Sequence, residues 1–149
     1  MKIEDEIKGR FRNEYHKGMI NLTFTANIMN HKFLQFVKKH EISSQQYNVL
    51  KIIRGFRKEN QINLAFIKER MLDRSSDVSR IVDKLFQQAL IVRNEDSADR
   101  RNKVLDITEK GLAILSEMDE CEKQVDLMLK NLSESEAVEL NRLLDKIRD

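Results

Sequence analysis

The chain has 149 residues, 40% hydrophobic and 35% charged, so it forms one domain or one small domain with helical extensions. A net charge of +2 excludes a bulk polycation, and no apolar run approaches the roughly 20 residues that a membrane-spanning helix needs. Residues 1–67 carry 12 basic and 6 acidic side chains, whereas residues 104–149 carry 6 and 12, so we expect any nucleic-acid surface to lie outside the C-terminal third.

The N-terminal third carries one long apolar stripe with steps of three and four residues. Its members are Ile3, Ile7, Phe11, Tyr15, Met19, Leu22, Ala26, Met29, Phe33 and Phe36. This spacing predicts a single long helix, whose partner we expect to be another helix that a second subunit can supply. Polar residues between Asn21 and Asn27 either line a ligand cavity or dimer seam or belong to a solvated face.

Short elements follow the long helix. Ser43 with Gln46 fits a capping box at the start of a second helix. Residues 61–63 are too short to assign alone and are taken as a short strand. Asn63 then predicts the cap of a short helix, and a polar turn follows at residues 73–75.

Residues 75–89 form the most regular segment. One face is apolar and consists of Val78, Ile81, Val82, Leu85, Phe86 and Ala89. The opposite face is polar, so the segment predicts an amphipathic helix. The period then changes, and residues 90–93 and 104–107 predict two strands joined by the hairpin NEDSADRRNK.

Two helices complete the chain. Thr108 predicts the cap of the first, and Ser133 with Glu136 predicts a second capping box. The order of elements is therefore two helices, a short strand, two helices, a hairpin and two helices. A short helix, a tight turn and an amphipathic helix before a two-stranded hairpin are typical of a helix-turn-helix with a wing.

Residues 76–111 resemble the winged-helix core of MarR-type transcriptional regulators. The family pattern joins a valine-aspartate-basic-leucine run, a leucine-valine-arginine strand, an aspartate-x-arginine wing and a leucine-threonine-x-x-glycine helix start. The matching runs are Val82-Asp83-Lys84-Leu85, Leu90-Ile91-Val92-Arg93, Asp99-Arg100-Arg101 and Ile107-Thr108-Glu109-Lys110-Gly111. Each motif alone is weak, but their order and spacing over 36 residues are typical of the family.

The resemblance implies a mainly α fold with a small β-hairpin wing. The winged helix-turn-helix region would span residues 41–108, flanked by dimerisation helices at 1–40 and 109–149. The implied function is a homodimeric regulator, mostly a repressor, on a near-palindromic operator in double-stranded DNA, with a small aromatic or apolar effector that releases the DNA. One departure is Ala89, where the family usually has glycine. Because alanine resists positive φ, we expect a different helix end there.

The recognition helix carries the first set of candidate DNA-binding residues. These are Ser75, Ser76, Ser79, Arg80, Asp83 and Lys84. Arg80 suits bidentate pairing with guanine, and the two serines at the helix start suit donation to phosphates. Asp83 would orient Arg80 or contact a base. Without the hairpin, an ordinary solvated helix face would be the better interpretation.

The wing carries the second set. These residues are Asp99, Arg100, Arg101 and Lys103, and further candidate phosphate contacts are Lys68, Arg70 and Arg74. Arg101 matches the family arginine and would enter the minor groove, braced by Asp99, while Arg100 would meet the DNA backbone. Taken alone, the tip is better explained as a solvated ion pair in a turn, worth about 0–1 kcal/mol.

Two alternatives to operator binding remain open. A winged helix can serve protein–protein contact, and a cysteine can make the regulator a redox sensor. The single cysteine, Cys121, fits a cytoplasmic protein, but its acidic neighbours raise a thiol pKa and disfavour the sensor. The scattered His16, His31 and His40 have no ligand spacing, so we expect no metal site. No glycine-rich phosphate loop, nucleophile elbow or paired catalytic acid and base stands out, so we expect no cofactor and no enzyme.

Overall fold

The computed structural model describes residues 2–149, apart from the side chains of Phe36, Cys121 and Val125. The elements are α1 (Ile3–Ile7), α2 (Glu14–Lys39), α3 (Ser44–Phe56), α4 (Leu64–Arg70), α5 (Val78–Gln87), β1 (Ile91–Glu95), β2 (Lys103–Ile107), α6 (Glu109–Asp126), a 3₁₀ turn (Leu127–Leu129) and α7 (Glu134–Arg148). The predicted mainly α fold with a two-stranded wing is confirmed. Among the described residues, no helix is long and apolar enough to cross a membrane.

The prediction of one long N-terminal helix is wrong. Lys8 ends α1 in the left-handed region at φ 50°, and its N–H donates to the Glu4 carbonyl oxygen at 3.1 Å. The chain starts a new helix after Asn13, whose side-chain oxygen accepts from the His16 N–H at 2.9 Å. The apolar stripe continues across this break, because residues 8–13 preserve the spacing without being helical.

The predicted caps of α3 and α4 are confirmed. Ser43 Oγ accepts from the Gln46 N–H at 3.1 Å, and Gln46 Oε1 accepts from the Ser43 N–H at 2.9 Å. The Asn63 side chain accepts from the Phe66 N–H at 2.8 Å. The short strand predicted at 61–63 does not form. Instead, Ile62 makes one backbone hydrogen bond to β2, from the Leu105 N–H at 2.7 Å.

Helix α5 begins later and ends differently than the sequence predicts. Its cap is Asp77, which accepts from the Arg80 N–H at 3.1 Å, so Ser75 and Ser76 precede the helix. At the end of α5, Ala89 adopts the left-handed conformation with φ 56°. The expectation that alanine would avoid positive φ at this helix end is therefore wrong. The Leu90 N–H donates to the Leu85 carbonyl at 3.0 Å, and this bond closes the helix as a glycine would allow.

The hairpin pairs β1 and β2 antiparallel, with Ile91 opposite Ile107 and Glu95 opposite Lys103. Both strands extend slightly further toward the tip than predicted. Thr108 caps α6 as expected, since its Oγ1 accepts from the Gly111 N–H at 3.1 Å. The hairpin base is therefore joined directly to the first turn of α6.

The hydrophobic core lies between α3, α5, the hairpin and α6. Its fully buried side chains include Leu50, Ile53, Ile62, Ile67, Leu85, Leu90, Ile91 and Leu115. Val37 near the end of α2 and Met118 in the middle of α6 belong to the same cluster, so these two helices share one core with the winged region. In α7, whose capping box of Ser133 and Glu136 forms as predicted, no residue is buried.

A polar bridge ties α3 to α6. Arg54 donates to both carboxylate oxygens of Asp119, at 2.9 and 2.7 Å, and this pairing lowers the pKa of Asp119. The Tyr47 hydroxyl donates to Glu122, which also accepts from Lys51 Nζ at 2.6 Å. Burial, followed by the hydrogen bond to Glu122, raises the pKa of Tyr47 and keeps it a donor at neutral pH.

Candidate DNA interface

Helix α5 presents a polar face to solvent because its apolar face is fixed in the core. Val78, Val82 and Leu85 are buried, whereas Ser79, Arg80, Asp83 and Lys84 are exposed. Arg80 and Lys84 form no ion pair with any described residue, so their charge is available to a polyanion. Phe86 was predicted in the apolar face but is 46% exposed, because it lies under Arg93 rather than in the core.

The two serines before α5 are engaged differently than predicted. Ser75 donates to Asp73 Oδ1 through its hydroxyl at 2.6 Å and its N–H at 2.9 Å, and these bonds lower the pKa of Asp73. In this arrangement the one hydroxyl proton of Ser75 is not free for a phosphate. The Ser76 hydroxyl oxygen is buried and has no hydrogen-bond partner among the described residues, so it does not lie on the outward face as predicted.

Asp83 pairs with Arg93 of β1, which corrects the prediction that it orients Arg80. The Arg93 guanidinium also lies over the Phe86 ring, 4.7 Å from its centroid. One arginine therefore connects the recognition helix to the first strand of the wing. Asp83 and Arg93 both belong to motifs that the sequence shows. Their pairing could not be predicted, because no local sequence pattern links two residues ten positions apart.

The wing tip is held by Asp99 through the backbone. Its Oδ1 accepts from the Arg101 N–H at 2.9 Å, and its carbonyl accepts from the Asn102 N–H at 2.9 Å. Asp99 thus braces the turn and leaves the guanidinium of Arg101 free. Arg100 and Arg101 are exposed and have no acidic partner in the described part of the chain, whereas Lys103 lies 3.3 Å from Glu95.

The fold brings the wing and the recognition helix to one cleft of about 420 Å³. Arg101 and Asn102 line it from the wing, and Ser79 and Asp83 line it from α5. A second cleft of about 500 Å³ lies on the other flank of α5. Arg80 and Lys84 line that cleft together with Gln45 from the start of α3.

Lys68, Arg70 and Arg74 differ in what they contact. Lys68 and Arg74 are exposed and without an ion pair among the described residues. Arg70 stacks on the Phe66 ring, 3.6 Å from the centroid, and also contacts Glu69 at 3.2 Å. Arg70 therefore has a structural role, which weakens the prediction of a phosphate contact.

Cys121 is the residue on which the redox-sensor hypothesis depends, and its side chain lies outside the described residues. The sensor hypothesis stays a prediction.

Known proteins match this chain in sequence and in fold. The MarR family model matches residues 42–103. The regulator MhqR of Bacillus subtilis is 28% identical over 132 residues, covering 88% of this chain and 89% of MhqR. The repressor NicR of Pseudomonas putida is 30% identical over 110 residues, covering 73% of this chain and 68% of NicR.

Solved structures with the same fold include regulators bound to DNA. The S. aureus MepR–DNA complex superposes with a TM-score of 0.75 at 22% identity, covering 93% of this chain and 97% of MepR. BpsR of Bordetella bronchiseptica, whose DNA binding is regulated by 6-hydroxynicotinic acid, has a TM-score of 0.71 at 22% identity, covering 89% and 99%. With the matching motifs and relatives, these results show that the chain belongs to the MarR family, whose members are transcriptional regulators rather than enzymes.

Proposed function

We propose that the protein is a homodimeric repressor that binds a near-palindromic operator, with α5 in the major groove and the hairpin in the minor groove. One observation carries this proposal. Four cations without an ion pair among the described residues lie on α5 and on the wing: Arg80, Lys84, Arg100 and Arg101. The two elements line one cleft, through Ser79 and Asp83 of α5 and Arg101 of the wing. Cations without acidic partners attract the phosphates and release their counterions.

Each exposed group has a role in this arrangement. Arg80 reaches a guanine edge, and Ser79 contacts a neighbouring base. Arg101 enters the minor groove, where the negative potential favours arginine. Lys84 and Arg100 contact phosphates, with Lys68 and Arg74 as further phosphate contacts that add affinity without sequence preference.

Asp83 does not contact DNA in this scheme. Its carboxylate faces Arg93, so the negative charge near the groove is compensated. The pair also fixes the angle between α5 and the wing, because Arg93 belongs to β1 and stacks on Phe86 of α5. A fixed angle lets both elements engage one operator half-site at once.

The dimer interface would be formed by residues 1–40 and 109–149. Dimerisation would cover an apolar groove that lies between α2 and α7. The groove has a volume of about 690 Å³ and is lined from α2 by Tyr15, which is 90% exposed. The α7 stripe consists of Ala137, Leu140, Leu143, Leu144 and Ile147, and Ile147 is 67% exposed. Exposed apolar stripes on paired helices mark interaction sites. A two-fold axis there would present two α5 helices to successive half-sites.

We also propose that a small aromatic or apolar molecule weakens DNA binding. The regulation of BpsR by 6-hydroxynicotinic acid supports this step by fold analogy.

The experiment begins with footprinting of the bound protein on genomic DNA, which supplies the operator. Fluorescence anisotropy then compares this operator with a scrambled duplex for the parent, Arg80→Ala and Arg101→Ala. We expect each variant to lose about 1–3 kcal/mol of operator affinity. Lys123→Ala on the acidic α6 is the matched control, and we expect it to bind as the parent does. If no duplex is bound better than scrambled sequence, a protein-contact role replaces operator binding.

A further inference from the structure

A pair of glutamine side chains joins the start of α3 to the end of α5. Gln46 Nε2 donates to Gln88 Oε1 at 2.7 Å. Gln46 is buried, with 6% of its surface exposed, and its Oε1 is already engaged by the Ser43 N–H in the capping box of α3. Gln88 therefore supplies the acceptor that a buried amide donor needs, since leaving such a donor unpaired costs stability.

Gln88 is the residue at which α5 ends, and its other polar groups are bonded as well. Its N–H donates to the Lys84 carbonyl oxygen at 3.0 Å, and its own carbonyl oxygen accepts from Lys110 Nζ of α6 at 3.0 Å. Gln88 Nε2 donates to the Glu41 carbonyl oxygen at the longer distance of 3.5 Å. The bond from Gln46 is the shortest of these contacts, so it is the main polar contact between α3 and the end of α5.

This bonded end of α5 lies in line with the candidate DNA-contacting cations. Arg80, Lys84 and Gln88 are four residues apart, so they follow one another along one side of the helix. Arg80 and Lys84 line the cleft of about 500 Å³, and the start of α3 lines it as well. On the other flank of α5, Asp83 pairs with Arg93 of the wing. A polar contact on each flank therefore restrains the rotation of α5 about its own axis.

We infer that Gln46 and Gln88 are positioning residues for operator recognition, which set the rotation of α5 without contacting DNA. This inference rests on the proposed function. The apolar contacts beneath α5 are non-directional, whereas a hydrogen bond between two amides holds only over a narrow range of distance and angle. Bidentate pairing of Arg80 with a guanine edge depends on geometry in the same way, whereas phosphate contacts carry no sequence information. Loss of the amide pair therefore weakens operator binding more than non-specific binding.

The first test measures the affinities for the operator and for a scrambled duplex by fluorescence anisotropy, and takes their ratio. Gln88→Met keeps an unbranched side chain and removes the acceptor for Gln46 Nε2. We expect the ratio to fall about fivefold, the net effect of roughly one hydrogen bond. Gln87→Met is the matched control, because the Gln87 side chain is exposed and makes no hydrogen bond to a described residue. We expect Gln87→Met to keep the parental ratio.

A set of carboxylate variants distinguishes positioning from general damage to the fold. Gln88→Glu still accepts from Gln46 Nε2, and Gln46→Glu keeps the capping box and accepts from the amide of Gln88 once that amide turns over. Each single variant thus keeps a donor and an acceptor, and its added charge weakens binding to both duplexes alike, so we expect a parental ratio. The double variant places two carboxylates face to face. At about pH 8, where both are ionised, we expect its ratio to fall by about fivefold or more.

A second test needs no DNA. Hydrogen exchange of the backbone amides compares α5 with α7 in the free protein, and we expect Gln88→Met to speed exchange in α5 alone. A parental ratio for Gln88→Met or for the double carboxylate variant overturns the positioning role, even if a thermal melt shows lower stability. Unchanged exchange in α5 overturns it too. If the parent binds both duplexes equally, the proposed operator function fails and the positioning role with it, and this outcome is seen before any variant is measured.

Discussion

Replacing Gly111 by alanine tests how α6 is attached to the wing. A Cβ at this position would lie 2.5 Å from the Leu90 carbonyl oxygen and 2.7 Å from Cγ1 of Ile107. Neither neighbour can move cheaply, because the Leu90 carbonyl accepts from the Thr108 N–H at 3.1 Å and Ile107 is buried. The glycine is therefore required for the close approach of α6 to the hairpin base.

The magnitude follows from two opposing effects. Alanine is more favourable than glycine inside a helix by about 0.5–1 kcal/mol. Overpacking a filled core costs about 1–3 kcal/mol, and two contacts below 3.0 Å place Gly111→Ala toward the upper part of that range. We expect a net loss of about 1–2 kcal/mol of unfolding free energy, which lowers the Tm by about 2–8 °C.

Urea denaturation followed by circular dichroism measures this loss at fixed protein concentration, since the proposed dimerisation would make stability concentration-dependent. Gly55→Ala is the matched control, because no atom lies within 4 Å of the Cβ that it would add in α3. We expect Gly55→Ala to keep or raise stability by up to about 1 kcal/mol. A Gly111→Ala protein as stable as the parent would refute the steric argument.

Three further predictions concern α5 and the dimer. Ala89→Gly relieves a left-handed alanine at φ 56° and raises the free energy of unfolding by about 1 kcal/mol, and a urea midpoint at or below that of the parent contradicts this. Asp83→Ala and Arg93→Ala each weaken operator binding, and the double variant loses less operator affinity than the sum of the two single losses. Additive losses in anisotropy would show that the Asp83–Arg93 pair does not act as a unit. Leu143→Asp places a charge in the α2–α7 groove and yields a monomer in analytical ultracentrifugation, whereas a persistent dimer would move the interface elsewhere.

Local chemistry made much of the fold predictable from the sequence. The capping boxes at Ser43 and Ser133 form as expected, because each needs two residues three positions apart. The hairpin and the Thr108 cap also follow from short-range patterns. Gly111 belongs to a motif that the sequence shows. The structure explains why glycine is required there, because α6 approaches the Leu90 carbonyl too closely for a Cβ.

Features that depend on distant or competing contacts could not be predicted in this way. The apolar stripe runs across residues 8–13, although Lys8 ends one helix and Asn13 caps the next. Phe86 has the spacing of a core residue but lies under Arg93 from another element. The sequence predicts a Ser75 hydroxyl that is free for phosphate, but this hydroxyl donates its hydrogen bond to Asp73. Periodicity records which face a residue occupies, not which partner it meets.

The residues of the candidate DNA surface were predicted from the sequence, and DNA contact by each of them stays a prediction. Arg80, Lys84, Arg100 and Arg101 were named from the sequence, and each is exposed and without an ion pair among the described residues. Arg93 belongs to the matched strand motif, but the sequence predicts no role for it, because its partner Asp83 lies on the preceding helix.

The measurement that tests the central claim most directly is the operator affinity of Arg101→Ala against salt concentration. Anisotropy between about 50 and 200 mM salt gives the slope of log affinity for the parent, for Arg101→Ala and for the Lys123→Ala control. We expect Arg101→Ala to bind the operator more weakly at every salt concentration, with a slope shallower by about one charge, while Lys123→Ala follows the parent. If Arg101→Ala matches the parent in both affinity and slope, Arg101 does not contact DNA and the proposed minor-groove role of the wing tip is wrong.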